Sequence, residues 1–541
     1  AIDAVLRDNL HGLEIDERCC QIAAFALAFA AWTYPEAGGY RELPELNIAC
    51  TGIGPQCSAE QWIKLAEQSG IPMPAVGREA IKNGLLNLHR LFSQAPTLGS
   101  LINPAELPGD LIAADYETIQ PYLAAIRAVE KADDETRERA IAAAGMVKAA
   151  DLMAGEYTLV ITNVPYLGRE KQNDLLRDRF ADRHPEAKAD LACVMLERCL
   201  DFASAKGHVG IVSPQYWLFL PRYKRFRVKV LKSTTCRAIA KLGPGAFETI
   251  TGEVVNASLA VLSPRPTPDA MIHVADAVTA KGTAAKAEQL RNGDIECLKQ
   301  QDQLSNPDAV IGYSQGQSDD ELLSDYAYCF QGLATSDNSQ FLIGFWEIPE
   351  VSNGWVHFQM SPGSTTLVDG YTWLLHWEDG AGRYHRHAQA LKSAGRLGGW
   401  KSGHEAWGST GIAINRMGDL PVCLYSGAMF DCNVAVFIPS KATDLPWLWS
   451  YLSSPDYAAE VRRLNQKTCV TNLSFVKVPA NKAHWQKVAA KKYPNGLPEP
   501  ESDDPTQWLF HGRPDEAQEG TELQVAVARL LGYRWPAELD E

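Results

Sequence analysis

The tetrapeptide Asn163-Val164-Pro165-Tyr166 follows directly on a run of strand-forming residues, Tyr157-Thr158-Leu159-Val160-Ile161-Thr162. That order predicts a strand delivering Asn163 at its carboxyl end, where open α/β sheets place their ligands. The chemistry such a group suits is activation of an exocyclic amino group, as on adenine. The amino lone pair of adenine is delocalised into the ring, so the nitrogen attacks poorly. A side-chain amide oxygen and a neighbouring main-chain carbonyl can accept its two hydrogens, localising the lone pair toward an incoming methyl group. Asn163 offers the first acceptor and the carbonyl of Val164 the second. Pro165 stiffens the turn, and Tyr166 presents a ring to a base swung out of its stack. Taken alone, the tetrapeptide also suits a strand-end turn with no such role.

The elements around it follow from hydrophobic periodicity. Leu10 to Asp16 is a short apolar segment ending in acids, and Glu17 onward predicts a long helix. Within that helix the apolar run Ile22 to Trp32 is too short to cross a bilayer and predicts a buried helix. Downstream come a helix over 189–205, a strand at His208 to Val212, a helix over about 223–233, and strands at Ala238 to Leu242 and Val254 to Leu262. This alternation predicts a doubly wound α/β sheet over residues 1–264. Pro264, Pro266 and Pro268 mark a boundary, with a polar connector over 265–315. Residues 316–490 hold most of the tryptophans, with short strand-like runs and Gly-rich turns, and predict a separate α+β domain. Residues 491–541 read as an acidic Pro-rich tail or the start of a further domain.

Composition bounds the class. Hydrophobic residues are 46% and charged residues 22%, ordinary for a soluble globular chain. No signal-peptide pattern opens the sequence, so a cytoplasmic protein without membrane attachment is expected. The 12 cysteines form no CxxC pair, which argues against zinc sites and a disulfide framework. The net charge is −15, but Glu499 to Glu541 carries 11 acids against 3 bases. An acidic total concentrated there is compatible with a basic cleft elsewhere.

The tetrapeptide resembles motif IV, (Asn/Asp/Ser)-Pro-Pro-(Tyr/Phe/Trp), of the amino-methyltransferases that use S-adenosylmethionine. Val164 replaces the first proline, which costs turn rigidity more than chemistry because the acceptor there is a main-chain carbonyl. The same variant resembles the large adenine methylases of BREX-type phage-defence and restriction-modification systems. Gly12-Leu13-Glu14-Ile15-Asp16 resembles motif II, which implies that Glu14 accepts hydrogen bonds from the cofactor's ribose hydroxyls and Ile15 packs on its adenine. The alternative is Asp16 as a helix N-cap with Glu14 merely exposed. Leu98-Gly99-Ser100-Leu101 resembles the motif III region, Asp190-Leu191-Ala192 motif V, and Lys206 to Pro214 motif VI. Ala246-Phe247-Glu248, with Val254 to Leu259, resembles motif VIII, which implies that Phe247 lies on the other face of the flipped base.

The implied fold is a Rossmann-like class I methyltransferase sheet followed by an α+β target-recognition domain. The implied activity is site-specific adenine-N6 methylation of double-stranded DNA, by direct transfer from S-adenosyl-L-methionine, alongside other defence-system subunits. Two alternatives stay open: the same tetrapeptide in a methylase of protein glutamine or RNA, and a non-catalytic DNA-binding defence subunit. In this motif order a Gly-rich cofactor loop precedes Glu14 by about one strand and one helix. The chain begins with Ala1 rather than Met, and 13 residues precede Glu14. The expectation is therefore a fold incomplete at its N-terminus, with the target-base half of the site intact and the cofactor half lacking.

Residues 316–490 resemble the target-recognition region through Gly332 to Asn338, Trp346, Gly411-Ile412-Ala413 and Thr471 to Ser474. Two basic stretches suit phosphate contact. Arg222, Lys224 and Arg225 stand in the first; the second runs from Arg383 through Arg386 and Arg396 to Lys401, with Tyr384 and Trp400 interleaved. A solvated helix face suits either equally well. His385, His387 and His404 lack a carboxylate or Cys at ligand spacing, so a DNA-facing surface and no metal is expected. No nuclease motif is evident.

Overall fold

The computed structural model describes the chain apart from residues 37–38, 56, 68–70, 108, 110–113, 128–133, 249–255, 314–320, 349–350, 395–399, 499–519, 521 and 531–541. It forms two compact units, one of residues 1–217 and 225–302, the other of residues 218–224 and 303–541.

In the first unit β1 (His11–Glu14) and β2 (Asn47–Cys50) pair in parallel. A second sheet contains β3 (Tyr157–Asn163), β4 (Ala203–Pro214), β5 (Thr235–Gly243), β6 (Ala257–Ser263), β7 (Met271–Asp276) and β8 (Ile295–Lys299). Its order is β3-β4-β6-β5-β7-β8. β3 runs parallel to β4 and β5 to β7, whereas β6 is antiparallel to both neighbours and β8 to β7. The α/β class holds, but the sheet is mixed where a doubly wound one was expected. β5 and β6 are consecutive and adjacent, and the described residues between them hold no helix to carry a parallel crossover.

Two further expectations are corrected. Residues 265–315 are not a connector: β7 and β8 extend the sheet, with Ile272 and Val274 buried, and the helix Gly282–Asn292 lies between them. Three closely spaced prolines hid a short alternating strand. Nor is the helix Glu17–Thr33 buried. Only Ala31 is, while Ile22, Phe25 and Phe29 are 67%, 65% and 55% exposed. One face packs on β1 and β2, and the side chains of Ile22, Phe25 and Phe29 stay largely exposed. The strand edges show a related feature. Among the described residues β1 pairs only with β2 and β3 only with β4, and Leu159 and Ile161 of β3 are 58% and 75% exposed.

The second unit is α+β. β9 (Ala327–Gln331), β13 (Gly411–Asn415), β14 (Val422–Tyr425) and β16 (Val434–Pro439) make one antiparallel sheet, in the order β14-β13-β16-β9. β10 (Leu342–Gly344), β11 (Trp355–Gln359), β12 (Trp373–His376) and β15 (Met429–Phe430) make the other, in the order β10-β12-β11-β15. Phe341, Phe358, Leu375 and Tyr384 are buried together in one core, and Ala413, Tyr425, Phe430 and Val436 in a second. Part of the expected tail is ordered, as the helix Glu522–Leu530 seats Val525 against Phe345 and Leu374.

Candidate active site

β3 delivers Asn163 to its carboxyl end, opposite Val212 of β4, with the side chain exposed. Val164 turns inward and is buried, Pro165 is exposed and Tyr166 half-buried. The loop that follows is clipped to the helix Leu191–Phe202. The Leu191 amide donates to the Leu167 carbonyl (3.0 Å), the Arg169 amide to the Ala189 carbonyl (3.1 Å), and Gly168 bridges Asp190. Buried Gln172 adds a side-chain amide bond to the Leu167 carbonyl at 3.2 Å. Asp190 caps the helix by accepting from the Ala192 amide at 3.0 Å. Burial and the nearby Asp190 charge push the Tyr166 phenol up to about 12, so its ring stays neutral near pH 7. The Tyr166 hydroxyl is buried without a hydrogen-bond partner among the described residues.

The rim continues along the sheet. Pro214 of β4 pairs with Ala257 of β6, which pairs with Gly243 of β5, so these ends share the edge that holds Asn163. Gln215 stitches them: its Oε1 accepts from the Gly243 amide (2.8 Å) and its own amide donates to the Asn256 carbonyl (2.7 Å). Phe247 follows β5 by four residues and is half-buried. Val254 and Val255 of the same motif lie outside the described residues.

Glu14 ends β1, as expected. One of its carboxylate oxygens accepts from the Ile15 amide (2.7 Å) and the Asp16 amide (3.0 Å). Asp16 caps the following helix through the Arg18 and Cys19 amides, so the capping role and the placement of Glu14 at the strand end coexist. Ile15 is 46% exposed. It lies against Gly99, and a Cβ on that glycine would come within 2.9 Å of Ile15 Cδ1. The structure thus brings the second and third motif regions together. Gly52, not singled out from sequence, completes the approach, because a Cβ there would stand 2.2 Å from the Ile15 carbonyl oxygen.

Arg198 joins the two sides and was also missed. It is 3% exposed and donates to the carbonyls of Ser100 (3.1 Å), Ile102 (3.0 Å) and Met153 (2.6 Å), with its guanidinium over the Phe202 ring. Burial lowers it to about 10, still cationic near neutrality. One side chain therefore ties the loop beside Ile15 to the helix behind Asn163. On that helix Glu197 takes His184 Nδ1 (2.7 Å) and Lys229 Nζ (2.8 Å). Burial would raise this carboxyl, but the two hydrogen bonds outweigh it and hold Glu197 below its ordinary value.

Residues 8–247 match the Eco57I restriction-modification methylase family. Adenine-specific methyltransferase BrxX of Escherichia coli O9:H4 (strain HS) is 28% identical over 271 residues, 48% of this chain and 22% of that protein. Adenine-specific methyltransferase PglX of Lacticaseibacillus casei (strain Zhang) is 25% identical over 218 residues, 38% of this chain and 18% of that one. The chain therefore spans about a fifth of the length of the curated relatives it matches. Among solved structures, a nuclease-deletion mutant of the Type ISP restriction-modification enzyme LlaGI with a DNA substrate mimic is 12% identical. It has a TM-score of 0.47, over 91% of this chain and 41% of that one.

The basic residues of the two stretches divide. Arg222 lies over the Tyr223 ring and Lys224 pairs with Asp308 at 3.5 Å, while Arg225 is exposed. Arg227, in the same basic run, is fully buried and donates to the Trp217 carbonyl at 2.8 Å. Arg386 and Lys401 are exposed, and Arg396 lies outside the described residues. Tyr384 hydrogen-bonds the carbonyls of Ala334 (3.0 Å) and Trp400 (3.1 Å), and His387 meets Ser336 Oγ at 3.1 Å. The second basic stretch thus sits on the Gly332 to Asn338 loop. The three histidines take separate partners: Trp400 for His385, Ser336 for His387 and the Lys401 carbonyl for His404. Thr471, Ser474 and Asn465 bond one another, and Gly411 admits the Phe437 carbonyl, so those motifs hold structure. No helix among the described residues is long and apolar enough to cross a membrane.

Proposed function

We propose that this chain carries the target-base side of a site-specific DNA adenine-N6 methyltransferase, from a restriction-modification or phage-defence system. The observation that carries the proposal is Asn163 exposed at the end of β3, above a buried Val164 and a loop clipped to the helix Leu191–Phe202. Asn163 Oδ1 accepts one hydrogen of the adenine amino group and the Val164 carbonyl the other. Tyr166 and Phe247 flank the flipped base. The Val164 carbonyl is fixed by its buried turn before the base arrives, so ordering that acceptor costs little at the moment of transfer. Methyl transfer is direct, with no covalent enzyme intermediate.

S-adenosyl-L-methionine, when bound, supplies the electrophilic methyl group. The residues present fit its nucleoside end: Glu14 offers a carboxylate at a strand end for the ribose hydroxyls, and Ile15 an exposed apolar side chain for the adenine ring. The open edges of β1 and β3, with Leu159 and Ile161 bare between them and solvent, are the seat of one further parallel strand bearing a Gly-rich loop. Arg222, Lys224, Arg225, Arg386 and Lys401 contact the backbone of double-stranded DNA, and the second unit reads the target sequence.

The test is tritiated methyl incorporation into phage DNA by the full-length protein, with Asn163→Ala beside it. Label in DNA that the substitution abolishes supports the proposal. Label that the substitution leaves unchanged, or label found in protein or RNA, overturns it.

A further inference from the structure

Two thiols with no part in methyl transfer meet at one backbone turn. Cys20 lies in the first turn of the helix Glu17–Thr33, and Cys50 ends β2. Cys20 Sγ donates to the Glu14 carbonyl at 3.8 Å and Cys50 Sγ to the Ile15 carbonyl at 3.4 Å. The register sets Cys50 directly across from Glu14. The two carbonyls they reach belong to consecutive residues, which brings both thiols to the same turn. Neither is buried away from solvent, so a small oxidant can reach both. The remaining pairing on this turn, Cys19, is exposed on the adjoining position of the helix.

We propose that Cys20 and Cys50 form a reversible disulfide, which makes the Glu14–Ile15 turn a thiol-oxidation site. The oxidant is a small peroxide. The Cys50 thiolate attacks one peroxide oxygen, the O–O bond breaks, hydroxide leaves and a sulfenic acid forms on Cys50. Cys20 then attacks that sulfur. The S–O bond breaks, the Cys20 proton goes to the departing oxygen, water leaves and the S–S bond forms. Two thiols lose two hydrogens and two electrons, and hydrogen peroxide becomes two waters. Burial, with the neighbouring Cys50 thiol and Glu14 adding to it, raises Cys20 to about 12. Cys20 therefore waits as a thiol and serves as the resolving group.

The cross-link replaces both S–H contacts to the turn and ties the helix to β2 around it. A consequence for cofactor binding rests on the function proposed above; the cross-link does not. The experiment treats the complete 541-residue chain with hydrogen peroxide under native conditions, blocks free thiols, and maps unreduced peptides by mass spectrometry. The expected result is one dominant Cys20–Cys50 linked peptide, reversed by dithiothreitol and retained in Cys19→Ser. Slower amide exchange at Ile15 and Asp16 on oxidation, absent in Cys50→Ser, places the effect on the turn. A Cys19–Cys50 link, oxidation of Cys50 to sulfinic acid without a link, or unchanged exchange overturns the proposal. Because neither DNA nor cofactor is used, failure here is separate from failure of the methyltransferase reading.

Discussion

The two sides of the site are built to different standards. Around Asn163 the chain is pinned: Val164 is buried, Leu167 accepts from Leu191 and Gln172, and Asp190 both caps a helix and bridges Gly168. Around Glu14 it is more open: Ile15 is 46% exposed, β1 pairs only with β2 among the described residues, and Ile22, Phe25 and Phe29 of the following helix are exposed. Hydrogen bonds that position an acceptor can be made within the chain. Burial of Ile22, Phe25, Leu159 and Ile161 requires neighbours. The turn at Asn163 is thus held by its own chain, while the surface around Glu14 is held by fewer contacts among the described residues.

Asn163→Ala strikes the preset side hardest. Methyl transfer by the full-length protein should fall on the order of 100- to 1000-fold with the cofactor KM little changed; a change confined to KM would move Asn163 to the other side. Arg198→Met tests the tie between the sides. Three buried carbonyls lose their donor, so denaturant unfolding should show a loss of about 3 kcal/mol. A loss near zero would mean the two sides stand independently. Gly52→Ala presses on the open side alone. Its Cβ has the Ile15 carbonyl 2.2 Å away, and about 1–3 kcal/mol of overpacking should appear, with altered amide exchange at Ile15 and none at Asn163.

Glu197 gives a smaller, pH-dependent signature on the pinned side. Its folded value is lowered, so its contribution is full above the ordinary carboxylate range and is lost as pH falls through the lower folded value. Glu197→Gln should flatten that acid limb in unfolding midpoints measured against pH. The smallest effects belong to Arg386 and Lys401. Each change to Ala should reduce the salt slope of DNA binding by about 1, without shifting sequence preference.

What could be read in advance was local. The strand before Asn163, the acid ending β1 and the helix opening at Asp190 follow from alternation, turn residues and caps within a few positions. What depended on distant partners could not. β6 runs antiparallel to β5, with no crossover helix among the described residues between them, and β7 was masked by the three prolines that precede it. Ile22, Phe25 and Phe29 announce an apolar helix, but apolarity does not say whether anything covers it. Arg198 looks like one more solvent-facing arginine until three carbonyls from two remote segments converge on it.

The backbone passes from one unit to the other at 217/218, 224/225 and 302/303. A single cut at any of these points leaves the units covalently joined or strands seven residues in the wrong piece. Exchanging the second unit for that of a relative is therefore a two-graft operation, with residues 218–224 moved together with the chain from 303 onward.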